Sequence, residues 1–183
     1  MNYIIYDLEA TCWENEYAAR GKRREIIEIG GVLMDANGKI KNQFESFVQP
    51  IVHPMLSGFC QKLTSISQVD INQADQFPIV IEDFKDWIGF NNNEEYLLCS
   101  WGFFDRSAFI KDCELHNTDS NWARKHISLK DQYPRIKNTG RAVGLKKALD
   151  IEGFEFEGTE HRAISDAINT AKIFRKFLNL WRF

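Results

Sequence analysis

The chain begins Met1-Asn2-Tyr3-Ile4-Ile5-Tyr6-Asp7-Leu8-Glu9, an apolar run that breaks into two acids one residue apart. Residues 2–7 read as a buried strand, since a short apolar run suits the interior of a sheet. Side chains alternate along a strand, so Asp7 and Glu9 share one face, with Cα atoms roughly 7 Å apart. Two acids that close at the rigid end of a central strand repel each other unless a cation lies between them. Carboxylate oxygens suit hard cations such as Mg²⁺ or Mn²⁺.

The next segments continue the sheet. Residues 26–34 are a second apolar run, Asn37-Gly38 is a hairpin turn signal, and residues 39–49 alternate, with Phe44 and Phe47 among the apolar positions. Three sequential antiparallel strands are expected. Pro50 and Pro54 open an irregular region, with short helices near 55–62 and 66–72. Ile81, Phe84, Trp87 and Ile88 have helical spacing after Pro78. Asn91-Asn92-Asn93 reads as a turn, Tyr96–Ser100 as a buried strand, 104–116 as an amphipathic helix, 127–130 as a short strand and 144–149 as part of a helix. Ile164, Ile168, Ala171, Phe174 and Leu178 form the apolar stripe of a last helix. Strands mixed with helices in this order predict an α/β fold, a mixed sheet flanked by helices. No linker composition divides the chain, so residues 1–183 are expected to form one domain.

Composition excludes several classes. No stretch approaches membrane-span length, and the start lacks a basic region followed by an apolar one, so neither a membrane anchor nor a signal peptide is expected. Cys12, Cys60, Cys99 and Cys113 show no metal-binding spacing and suggest reduced thiols in a cytoplasmic protein. The net charge of −3 does not advertise nucleic-acid binding, but its distribution is uneven. Arg20, Lys22, Arg23 and Arg24 cluster, and a second basic stretch runs from Arg124 to Lys147 with Asp131 as its only acid. An acidic run from Asp150 to Glu160 follows. Such runs are ordinarily solvated faces; beside a carboxylate metal site they also suit a phosphate backbone.

Three further residues complete a pattern. Asp105 follows Tyr96–Ser100 and the turn at Trp101-Gly102, near the start of a helix; Asp166 starts the last helix, and His161 lies in the loop before it. Singly, each has an ordinary explanation, because acids are favoured at helix starts. Four carboxylates and a histidine in this order suit a metal-dependent phosphodiesterase, in which two cations activate a water and stabilise the leaving oxygen.

The ordered motifs are Asp7-Leu-Glu-Ala-Thr-Cys-Trp13, Glu25-Ile-Ile-Glu-Ile-Gly30, Leu56-Ser-Gly-Phe-Cys60, Leu63-Thr-Ser-Ile66, Ala74-Asp-Gln-Phe-Pro78, Ser100-Trp101, Asp105 and His161-Arg-Ala-Ile-Ser-Asp166. Through them the chain resembles the DEDDh 3′→5′ exonucleases, and within these the branch containing the histone-mRNA 3′-end exonuclease. The resemblance implies a ribonuclease-H-like mixed five-stranded sheet, with three antiparallel strands and parallel additions. It implies two Mg²⁺ or Mn²⁺ ions held by Asp7, Glu9, Asp105 and Asp166, with Asp7 bridging them and His161 as general base. Arg162 stands where the sister branch has tyrosine. The resemblance further implies an aromatic clamp of Phe59 and Phe104 on the 3′-terminal base, with Ala10, Thr11, Leu63 and Thr64 bordering sugar and base. Ser65 replaces a glycine frequent after the Leu-Thr pair, and two extra residues stand between Trp101 and Asp105. The expected partner is a single-stranded nucleic-acid 3′ end, RNA favoured. A DNA exonuclease of the proofreading or repair type and a non-catalytic binding protein on the same fold are the alternatives.

Overall fold

The computed structural model describes all 183 residues. Strands β1 (Asn2–Ala10), β2 (Ile26–Met34), β3 (Ile40–Phe47), β4 (Tyr96–Ser100) and β5 (His126–Ser128) form one sheet in the order β3-β2-β1-β4-β5. The first three are antiparallel; β4 joins β1, and β5 joins β4, in parallel. Helix α1 (Glu16–Ala19) lies between β1 and β2. Helices α2 (Gly58–Thr64), α3 (Gln68–Gln73) and α4 (Phe77–Trp87) connect β3 to β4. Helix α5 (Phe104–Leu115) and a 3-10 turn at Asn121–Ala123 lead to β5, and α6 (Leu129–Lys137), α7 (Leu145–Glu152) and α8 (Ala163–Lys176) follow. The expected mixed sheet flanked by helices is present.

Alternation along β1 sorts the core. Ile4, Tyr6 and Leu8 pack on one face with Phe77, Phe84, Phe109 and Trp122. Tyr3 and Ile5 pack on the other with Val32, Leu149, Ala167 and Phe174. Asp7 and Glu9 continue the second alternation, so they point toward the side covered by α8.

The structure departs from the sequence reading in four places. Strand β1 continues through both acids to Ala10, because β2 supplies partners that far, Asp7 opposite Gly30 and Glu9 opposite Glu28. The hairpin at Asn37-Gly38 forms, but as a longer loop: the Asp35 carboxylate accepts the amides of Asn37 and Lys39, and only Gly38 takes positive φ, at 75°. Helices α1 and α6 were not anticipated; α1 is a single turn, and α6 is largely polar and contains Pro134. In α8 the most buried positions are Ala163, Ala167, Asn169, Thr170, Ala171, Ile173 and Phe174, whereas Ile164 and Ile168 are half-buried and Leu178 lies beyond the helix. The acidic run also contains one buried member. Glu152 accepts the Tyr133 hydroxyl at 2.6 Å and pairs with Lys137 at 3.2 Å and Lys176 at 2.8 Å, tying α6, α7 and α8 together.

The small residues of α8 have a reason. A Cβ on Gly30 would lie 2.2 Å from the backbone carbon of Ala163 and 2.2 Å from the amide nitrogen of Ile164. The first turn of α8 therefore rests on the backbone of β2, on the same face as Asp7. Gly30→Ala should force the helix off the sheet and destabilise the protein by about 3 kcal/mol or more, at or above the upper end for overpacking. The denaturant midpoint measures this; an unchanged midpoint would contradict the contact.

Candidate active site

A hollow of about 340 Å³ opens where the C-terminal end of β1, the start of α5 and the start of α8 meet. Asp7, Glu9, Asp105, His161 and Asp166 all line it. The ligand atoms of Glu9, His161 and Asp166 lie within 4.8 Å of one another. Residues far apart in the chain thus meet in one place, as the motif order implied.

Each arrives by a specific local device. β1 pairs with β4 only as far as Ile5 opposite Cys99, so beyond that point its edge faces α5. There Asp105, near the start of α5, faces the same hollow as Asp7, Leu8 and Glu9. Asp105 is the second residue of α5 and is buried at 5 % exposure, although it is an acid. Asp166 lies in the first turn of α8 and accepts the backbone N–H of His161 at 3.0 Å. His161 itself takes left-handed backbone geometry, φ 61°, and is solvent-exposed. This hydrogen bond fixes the tight turn before α8 and holds the imidazole at the mouth.

A buried ion pair positions that turn. Glu28, fully buried on β2, accepts the Ala163 amide at 2.9 Å and two nitrogens of Arg162, Nε at 3.1 Å and Nη2 at 2.8 Å. Arg162 also reaches Glu45 at 3.0 Å. Breaking a buried pair of this kind typically costs about 3–5 kcal/mol, because the remaining charge loses its partner. Neither Glu28 nor Arg162 was singled out from the sequence for this role; the one signal was an acid, Glu28, inside an otherwise apolar strand.

The electrostatics are those of an uncompensated anion cluster. Burial, then the charges of Asp105, Asp166, Glu9 and Glu28, raise Asp7 well above the usual carboxylate range. Burial, followed by Asp166 and Glu28, pushes Glu9 up to about 9. Burial raises Asp105 to about 7, and it raises Asp166 to about 6 against the attraction of His161. None of the four forms a salt bridge with lysine or arginine. Lys130, from the second basic stretch, lines the hollow without pairing with them. An all-oxygen acidic set with one imidazole fits hard divalent cations.

The expected substrate contacts divide. Phe59 and Phe104 are 38 % and 47 % exposed, so they are surface rings rather than core. Phe104 lines the carboxylate hollow, while Phe59 and Leu63 line a neighbouring hollow of about 490 Å³ with Cys12 and Trp13. Ala10 is buried and lines a third hollow. Thr11 and Thr64 are buried, and their hydroxyls are engaged internally. Thr11 Oγ1 accepts the Glu25 amide at 3.0 Å; Thr64 Oγ1 donates to the Cys60 carbonyl at 2.9 Å and accepts the Ile66 amide at 3.2 Å. Their hydroxyls thus help build the frame around the site.

Comparison with known proteins agrees with this geometry. The family model described as Exonuclease (RNase_T) matches residues 4–174. The chain belongs to the exonuclease family. It is 32 % identical over 195 residues to ERI1 exoribonuclease 2 of Xenopus laevis, covering 93 % of this chain and 27 % of that protein. It is 31 % identical over 183 residues to the human 3′-5′ exoribonuclease 1, covering 94 % of this chain and 51 % of that protein. The chain therefore spans from a quarter to a half of these relatives. Among solved structures, the nuclease domain of 3′hExo, described as a DEDDh family member bound to rAMP, superposes with a TM-score of 0.87 at 28 % identity, over 97 % of this chain and 92 % of that one. The DEDDh exonuclease fold and family are thereby shown, and this family is divalent-metal dependent.

The raised carboxylates set a pH dependence for the metal-free protein. A folded-state pKa above the unfolded value means the folded chain holds protons the unfolded chain has released. The cluster's contribution to stability is therefore fully present below about pH 4, the unfolded carboxylate value, and is lost as pH rises through 6 to 7 and on toward 9. With chelator present, Asp7→Asn should flatten the fall in Tm between pH 5 and 8. It should also raise Tm at pH 8 by a few degrees, since each kcal/mol is worth roughly 2–4 °C at this size. Added Mn²⁺ should raise the wild-type Tm more at pH 8 than at pH 5. Parallel Tm–pH curves for the two proteins would remove Asp7 from the cluster's repulsion.

Proposed function

We propose that this chain is a 3′→5′ exonuclease that hydrolyses the terminal phosphodiester of single-stranded RNA and releases 5′-nucleoside monophosphates. The observation that carries this reading is the convergence of Asp7, Glu9, Asp105, Asp166 and His161 on one open hollow. The carboxylates would hold two Mg²⁺ or Mn²⁺ ions, with Asp7 shared between them. When bound, such cations lower the pKa of a water and offset charge on the phosphate.

The chain's own groups do the rest. His161, exposed at the mouth and tethered through its backbone to Asp166, accepts the proton of the attacking water. Lys130 lies where it can meet a phosphate oxygen. Phe104 and Phe59 offer exposed ring faces to bases, and stacking of this kind is worth about 1–3 kcal/mol per base without demanding a sequence. The buried Glu28–Arg162 pair keeps the His161 turn and Asp166 in register with β1. A hollow that shares Phe104 with the carboxylate site, and a further one beyond it, give an adjoining strand room to continue.

RNA is favoured by the relatives, which are named exoribonucleases, and by a structure described as 3′-end recognition of histone mRNA stem-loop by 3′-exonuclease, at 28 % identity and a TM-score of 0.86. Four cysteines without disulfides suit a reducing, cytoplasmic setting.

Matched RNA and DNA oligomers digested with Mg²⁺ or Mn²⁺ test the reading. The RNA should shorten from its 3′ end to mononucleotides, and chelator should stop it. No cleavage of either oligomer would overturn the proposal, and faster DNA digestion would reassign the substrate. Asp7→Asn should abolish cleavage while the fold persists. His161→Ala should lower kcat by roughly 10²–10⁴-fold, the usual range for a general base. Unchanged turnover at saturating substrate would remove His161 from that role.

A further inference from the structure

A second hollow of about 580 Å³ adjoins the carboxylate site, and Phe104 lines both. Its walls are the segment after α1, the start of β2 and the exposed side of α5. Four cations face it: Lys22, Arg23, Arg24 and Lys111. None of them forms a salt bridge. Three acids also line it, but Glu25 turns its carboxylate onto the amides of Ile51, Val52 and His53 at 2.7 to 3.1 Å. Glu16 and Glu114 remain against the four positive charges.

Arg23 is the most informative of these groups. Its Nη2 donates to the carbonyl of Lys111, which ties the loop to α5 and fixes the guanidinium across the hollow. Its Nε is buried and has no hydrogen-bond partner. The guanidinium has no carboxylate partner in the fold, and an anionic oxygen is the acceptor that forms the strongest hydrogen bonds with such a group. By contrast, the second basic stretch is partly neutralised within the fold, Lys137 by Glu152 and Lys146 by Glu160.

We propose that this hollow is a subsite for a backbone phosphate of the same strand, 5′ to the scissile linkage, with Arg23 as the main contact and Arg24 and Lys111 at its rim. This rests on the exonuclease reading above. A strand whose end lies among the carboxylates passes Phe104, stacks a base on its exposed ring, and meets the guanidinium next. The contact carries no base information, so it supplies grip rather than sequence preference. It makes the enzyme favour a strand several nucleotides long over a mononucleotide ester.

The test is a binding cycle in the Asp7→Asn background, which blocks cleavage. The probes are fluorescent hexauridylates, each carrying one neutral methylphosphonate linkage at a successive position. At one linkage 5′ to the scissile position, neutralisation should weaken binding about five- to ten-fold in the parent, the order of one charge-assisted contact. In Asp7→Asn/Arg23→Gln the same change should cost less than about two-fold, and the salt slope for the unmodified probe should fall by about one. Equal losses at every linkage in the two proteins would overturn the subsite. So would unchanged affinity for the unmodified probe. If Arg23→Gln lowers Tm by loosening α5, Arg24→Gln is read in the same way and decides between the same two outcomes. Cleavage of the unmodified probe by the unsubstituted chain is measured alongside. Its absence would sink the exonuclease reading itself, whereas cleavage without position-specific coupling sinks only the subsite.

Discussion

The backbone of α8 rests on the backbone of β2 at Gly30, and the active site depends on that contact. No side chain fits between them, since a Cβ would lie 2.2 Å from Ala163. Because Gly30 is opposite Asp7 on the sheet, the first turn of α8 is delivered directly beside β1. Asp166 and His161 come with it. The buried Glu28–Arg162 pair, at 2.8 Å, then locks the entry to the helix from the neighbouring register position. Steric closeness sets the position and the ion pair sets the orientation.

That scaffold holds an arrangement that opposes folding in the absence of metal. Four carboxylates share a partly buried hollow, and burial plus mutual repulsion raises the pKa of each. The protein places its own compensating cations elsewhere: Arg162 neutralises Glu28, and Lys137 and Lys176 neutralise Glu152. Leaving the four site acids without such partners gives up stability, and an acidic oxygen set of this kind suits the divalent metals on which the family depends. Exposed rings, Phe59 and Phe104, and the unpaired cations Lys22, Arg23, Arg24 and Lys111 lie on the surface around them.

The sheet was legible because its signals are local. The apolar runs at 2–7 and 26–34 and the turn at Gly38 are periodic or conformational facts that neighbours do not override. The boundary of β1 was less legible, since its last three residues are strand only because β2 extends far enough to pair with them. Helix α6 was missed because its polar, proline-containing sequence becomes a helix through packing of Leu129 and Tyr133 rather than through propensity. The stripe on α8 was displaced for a related reason. A helix whose first turn is seated against backbone buries small residues such as Ala163 and Ala167 there, with Ile173 and Phe174 buried further along, and leaves Ile164 and Ile168 half-buried.

The sequence by itself singled out the residues that line the carboxylate hollow. Asp7, Glu9, Asp105, His161 and Asp166 form the ordered motif, and β-strand alternation already put the first two on one face. Tertiary structure decided how they meet and what surrounds them. It assigned Thr11 and Thr64 to the frame, because buried hydroxyls must find backbone partners. It left Phe59 and Phe104 at the surface, and it turned Arg23 across a hollow next to the site. Those outcomes depend on which backbone atoms lie within hydrogen-bonding reach after the chain closes on itself, and linear spacing holds no information about that.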